Sequence, residues 1–274
     1  MIDMEPNTTL VQQFPAHEAA PAAGPSPVLL VLHDAYGLAP GICSFVNRLA
    51  RDGFLALAPN LYAHAFSLAA GAPAWMSHPF SIAGDTQWEG FPVRPSYKWT
   101  EGSEAKAAAA ELSRERAREI LARALGYVDG VSAADPSRVG VIGFGVGGRL
   151  AFRAACDFPD RIGALVAYSP TALAAPYRLR PAETMPILEF ENLRSPALLF
   201  YGGQDPDSGA EERAALEHVL SAAGARHEIV TFPEAGREFF DADSPNYRIS
   251  AARRARQRAL EFLRDALKDP AAGR

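Results

Sequence analysis

The sequence predicts an α/β fold: a single domain whose mostly parallel sheet carries helices on both faces. Three observations lead there. Apolar runs of strand length recur at 27–32, 139–142, 162–168 and 197–201, without the in–out alternation of a half-solvated sheet. Segments of helical period lie between them, the arrangement that makes neighbouring strands parallel. At 274 residues and 48% hydrophobic content, the chain can bury one large core.

Residues 1–26, rich in Pro and Ala, read as an N-terminal arm with 8–14 as a candidate edge strand. The α/β domain is expected over 27–270. Its first strand, 27–32, ends in His33-Asp34-Ala35-Tyr36-Gly37, and such C-terminal strand ends are where open α/β sheets bind ligands. A helix follows over 40–51, with Ile42, Phe45, Val46 and Leu49 on one face; Gly53 ends it, and 54–58 is the next strand. From about 60 to 103 the pattern weakens into an insertion holding Tyr62, His64, Trp75, Trp88, Tyr97 and Trp99. A lid over a site and a surface excursion packed on its own aromatics both fit it.

Residues 104–128 have a helical stripe of Ala117, Ile120, Leu121, Ala124 and Val128. The strand 139–142 runs into a glycine-rich turn, and a helix is expected over 150–156. The strand 162–168 ends at Ser169-Pro170, and 171–194 reads as an irregular connection. The strand 197–201 precedes Gly202-Gly203-Gln204-Asp205, a helix spans 211–223, and the last strand is 227–232. A loop at 233–240 leads to the final helix, 249–267.

The net charge of −5 gives no reason to expect nucleic acid or an anionic membrane as partner. Two cysteines, Cys43 and Cys156, are too few for a disulfide framework. No apolar run approaches the ~20 residues that span a bilayer, and the N-terminus lacks the basic and apolar regions of a signal peptide. A cytoplasmic chain acting on a small molecule is the expectation. The histidines lack metal-ligand spacing, and Gly143-x-Gly145-x-Gly147 departs from the dinucleotide fingerprint, so neither metal nor cofactor is expected.

Strand, tight turn, helix over 139–156 is the shape of the G-x-S-x-G nucleophile elbow of α/β-hydrolases. The middle position is Gly145. The wider order of landmarks resembles the dienelactone hydrolases of that fold. The likeness rests on His33–Leu38, on Asn47-Arg-Leu-Ala-Arg-Asp-Gly-Phe-Leu-Ala-Leu-Ala-Pro-Asn-Leu-Tyr62, on the turn 143–148, on Gly203-Gln204-Asp205 and on the loop from Pro233 through Tyr247. The resemblance implies an α/β-hydrolase fold and a triad of nucleophile, Asp and His. Carried over by position, these fall on Gly145, Asp205 and Arg237.

Glycine cannot attack a carbonyl, and Arg stays protonated near neutrality, so the reading expects the covalent route to be lost at this site. It expects the backbone to survive. The family's oxyanion hole maps onto the amides of Val146 and Ala35, which no side-chain change removes. Asp205 and Arg237 are expected within reach, as a salt bridge or with Arg237 holding a substrate carboxylate or enolate. Asp34 and His64 fall where the resemblance implies pocket groups, and each is a candidate for proton transfer. His33, Tyr36 and Tyr62 are expected to line the pocket. Cys43 is read as a buried helix thiol, with a displaced nucleophile as the alternative. Three functions follow: non-covalent carbonyl chemistry of isomerase, lyase or cyclase type on a small or polyketide-like metabolite; a non-catalytic binding protein; and a hydrolase that activates water directly.

Overall fold

The structure, a computed structural model, describes residues 7–10, 16–34, 37–62, 112–170, 173, 187–242 and 244–268. The chain divides into two compact units, 1–136 and 137–274. The expected insertion at 60–103 and the proposed helix start at Glu104 lie almost wholly outside the described residues.

In the first unit, β1 (Asn7–Leu10) pairs antiparallel with β2 (Ala16–Ala20), and β2 pairs antiparallel with β4 (Leu55–Pro59). β3 (Ser26–Leu32) lies parallel to β4. Residues 28–32 and 55–58 are completely buried, as expected of strands covered on both faces. Helix α1 (Pro40–Arg51) starts with Pro in its first turn, where the missing N–H costs nothing. It buries Cys43, Val46, Leu49 and Ala50, and Gly53, at φ 98°, turns the chain into β4. Helix α2 (Arg114–Asp129) is capped by Ser113, whose Oγ accepts from the Arg116 amide at 3.2 Å. Its buried stripe is Ala117, Leu121, Ala124, Leu125 and Val128.

β2 went unread in the sequence. Ala16-His17-Glu18-Ala19-Ala20 has no β-forming residue types, yet it is buried along its whole length. Its two polar side chains find partners: His17 Nε2 meets Asn47 Oδ1 at 2.9 Å, and Glu18 is hydrogen-bonded to Tyr127.

The second unit is a parallel ladder. β5 (Ala134–Phe144) runs into it and pairs with β6 (Ile162–Tyr168), β6 with β7 (Ala197–Gly202), and β7 with β8 (His227–Phe232). Helix α3 (Val146–Asp157) begins four residues earlier than the periodicity suggested, because its first turn is Gly-rich and carries no apolar signal. α4 (Ala210–Ala222) and α5 (Ile249–Ala266) complete the unit. α5 packs on β6 and β7 through Ala251, Ala255, Ala259, Leu260 and Leu263, whose mostly small side chains permit a close approach. A row of rings braces the strand ends. Phe144 stacks on Tyr168 at 5.0 Å, Tyr168 meets Phe200 at 4.9 Å, and Phe240 closes on Phe144 and Tyr168 at 5.1 and 5.2 Å.

Candidate active site

The turn after β5 has the backbone of an elbow. Gly145 sits at φ 51°, ψ −113°, between the last residue of β5 and the first of α3. An L-residue is strained there and glycine is not. Its amide donates to Tyr168 O at 2.9 Å, which ties the turn to the end of β6. Gly143 is required for a different reason: a Cβ there would lie 2.1 Å from Gly147 O. Val146 is the first residue of α3, where amides point out of the helix end and the dipole favours negative charge.

The loops after β7 and β8 are held as one piece. Gly203 N donates to Phe232 O at 2.8 Å and Gln204 N to Ala235 O at 2.9 Å. A Cβ on Gly202 would come 2.3 Å from Gly236 O, so the two loops touch through their backbones. This platform carries Asp205, Asp207, Arg237 and Glu238. Asp205 is 4% exposed. Its Oδ1 accepts from the Asp207 amide at 2.9 Å, and its buried Oδ2 has no hydrogen-bond partner among the described residues. Burial raises the Asp205 pKa above the ordinary carboxylate value, and the nearby Arg237 charge offsets this only in part. The Arg237 guanidinium donates to Asp207, so the ion pair that sequence reasoning drew to Asp205 is drawn to the carboxylate two residues on.

Three residues here escaped the sequence reading. Asp207 has its signal in the Asp205-x-Asp207 spacing. Glu238 is 7% exposed, holds φ 60° and accepts from Ser244 Oγ at 3.3 Å. Ser169, just past β6, holds φ 42°. Nothing in the sequence marks a non-glycine residue for a left-handed backbone, so the last two were legible only from coordinates.

In the first unit, His33 is fully buried. Its Nδ1 lies 2.8 Å from Asp34 O, and its Nε2 accepts from the Leu61 amide at 3.0 Å. That pattern fixes the neutral ring with its proton on Nδ1, and burial drops its pKa to about 4. The ring stands edge-on to Tyr62 at 4.9 Å. His33 thus ties the end of β3 to the end of β4. Asp34 is buried too, and its carbonyl also accepts from Gly37 N at 3.0 Å. Ala35, Tyr36 and His64 lie outside the described residues. Cys43 is 2% exposed and burial pushes its thiol up to about 12, which leaves it without thiolate character. Among the described residues no cluster of His, Cys, Asp or Glu has the makings of a metal site, and no helix is long and apolar enough to cross a membrane.

The model of the dienelactone hydrolase family matches residues 14–267. A carboxymethylenebutenolidase of Pseudomonas putida is 28% identical over 251 residues, covering 91% of this chain and 90% of that protein. A Methylorubrum extorquens protein provisionally named for the same activity is 28% identical over 252 residues, covering 92% of this chain and 76% of that one. A crystal structure of a provisionally named dienelactone hydrolase from Klebsiella pneumoniae superposes with a TM-score of 0.73 at 24% identity, covering 94% and 97% of the two chains. That likeness establishes the α/β-hydrolase fold.

These relatives overturn two expectations. Isomerase, lyase or cyclase chemistry finds no counterpart among proteins named as hydrolases, and neither does an enzyme set apart from the acyl-enzyme hydrolases. Those expectations rested on Gly145 in place of the nucleophile and Arg237 in place of the histidine. Hydrolysis needs a polarised carbonyl, an attacking oxygen and a proton acceptor, and only some of these ever depended on residue 145.

Proposed function

The chain belongs to the dienelactone hydrolase family, and from that premise we propose that it hydrolyses a small lactone or ester, an unsaturated lactone of the carboxymethylenebutenolide type being the first candidate. Water supplies the oxygen that enters the product and Asp205 accepts its proton, a step common to direct attack and to the hydrolytic half of an acyl-enzyme route. The observation that carries this reading is Asp205 Oδ2, a buried acceptor without a hydrogen-bond partner on the loop where the family's acid falls. An orphaned buried carboxylate oxygen is costly, and an O–H donated by water satisfies it.

The step balances as follows. Water donates one proton to Asp205 while its oxygen bonds to the carbonyl carbon. The carbonyl electrons move onto oxygen, where the Val146 amide and the N-terminus of α3 stabilise them. Collapse expels the ring or ester oxygen, which takes the proton back from Asp205. Asp34, His64 and the Ala35 amide keep the proton-transfer and carbonyl-binding roles that the family resemblance implies for them. Arg237, paired with Asp207, keeps positive charge beside Asp205 and suits a substrate carboxylate.

Asp205→Asn, which keeps the shape and loses the base, is expected to lower kcat on such a lactone about 10²–10⁴-fold. In the wild type, kcat/KM should fall on the acid side through a pKa above the usual Asp value, because Asp205 works deprotonated and burial raises its pKa. An Asn variant with wild-type turnover and the same acid limb places the base elsewhere.

A further inference from the structure

We propose that the Ser169 hydroxyl holds and orients the attacking water, a contact that Gly145, lacking a side chain, cannot make. The inference rests on the hydrolytic reading of the same site. Ser169 follows β6 directly and is 1% exposed. It combines two unfavourable features. Its φ of 42° makes it one of two non-glycine residues with positive φ among those described. Among the described residues its buried Oγ has no hydrogen-bond partner. Glycine would remove both at once.

The fold does not use that hydroxyl. The backbone of Ser169 is already anchored by its own amide, which donates to Phe200 O at 2.8 Å. Its two neighbours fix where it sits. Tyr168 O accepts from Gly145 N at 2.9 Å, and a Cβ on Gly148 would lie 3.0 Å from Pro170 Cβ. Both neighbours of Ser169 therefore touch the elbow turn. Unpaired polar groups and strained backbone gather where a ligand is to be met. A hydroxyl accepts two hydrogen bonds and donates one. Accepting the second hydrogen of the water whose first goes to Asp205 leaves a lone pair for the carbonyl carbon. Only the O–H bond facing Asp205 breaks; the serine keeps its own proton.

The test compares wild type, Ser169→Gly and Ser169→Ala for Tm and for kcat on the same lactone. Ser169→Gly is expected to raise Tm by about 2–4 °C, through relief of strain and loss of the orphan group. It should also lower kcat about 10²-fold, the scale of a misplaced reactant. Ser169→Ala should lower kcat alike with a smaller gain in Tm, since it keeps the strained backbone. The acid limb should survive in both, because Asp205 is untouched. Ser169→Ala separates the two roles: it removes the hydroxyl and keeps the strained backbone, so a fall in kcat there tracks the hydroxyl and not relief of strain. Unchanged kcat or a lowered Tm in Ser169→Gly overturns the assignment, and so does a fluorophosphonate adduct on Ser169, which would make it the nucleophile. Turnover that depends on Asp205 but ignores Ser169 sinks this inference alone; a wild type inert to lactones and esters sinks the hydrolytic reading beneath it.

Discussion

A histidine at a strand end can brace or catalyse, and its two ring nitrogens decide between them. Both nitrogens of His33 are engaged, and its pKa is lowered from 6.5 to about 4. The native state holds the neutral ring while the unfolded chain gains a proton below 6.5. Stability therefore falls as pH drops from about 6.5 to about 4, by roughly 3 kcal/mol in total at about 1.36 kcal/mol per pKa unit. Urea midpoints at pH 7 and pH 4.5 should differ more for the wild type than for His33→Gln, which has nothing to titrate there. Equal acid sensitivity in the two proteins would remove His33 from the account. At this scale the sequence was partly legible. It named Asp205 and Arg237, yet the choice of Asp207 as partner depends on how a loop points its side chains, which residue types do not encode.

At the scale of elements, periodicity was a good guide wherever side chains carried the signal. Buried strands and the stripe of α2 were read because apolar residues recur at fixed spacing. β2 and the first turn of α3 were missed because alanine and glycine leave no pattern. Glycines themselves separate into two kinds. Gly143→Ala would drive a Cβ into the backbone at Gly147, which cannot swing aside, and should cost about 3 kcal/mol or more. Gly126 in α2 is exposed, and a Cβ there meets nothing within 4 Å. Gly126→Ala should stabilise by about 0.5–1 kcal/mol through helix propensity. Thermal denaturation of the two variants reads both signs, and a tolerated Gly143→Ala would mean the elbow can open.

For the molecule as a whole, the α/β class was legible from alternating elements, and the family from the order of its landmarks. The reaction was not, since a sequence displays which side chains are missing more plainly than which backbone groups persist. The two thiols offer a test of the whole. Cys43 lies in the first unit and Cys156 in the second, and both are buried. Iodoacetamide should label neither in the native protein. If the chain unfolds as one cooperative domain, both thiols become reactive at the same urea concentration. Exposure of one before the other would mean that the units unfold in succession. The turn at Gly145 has a last consequence. Its shape is dictated by main chain and by contacts at its flanks, so a side chain grafted at its apex keeps the bend and bears the strain that glycine avoids. A designer wishing to graft a different reagent onto this scaffold can begin with a single codon.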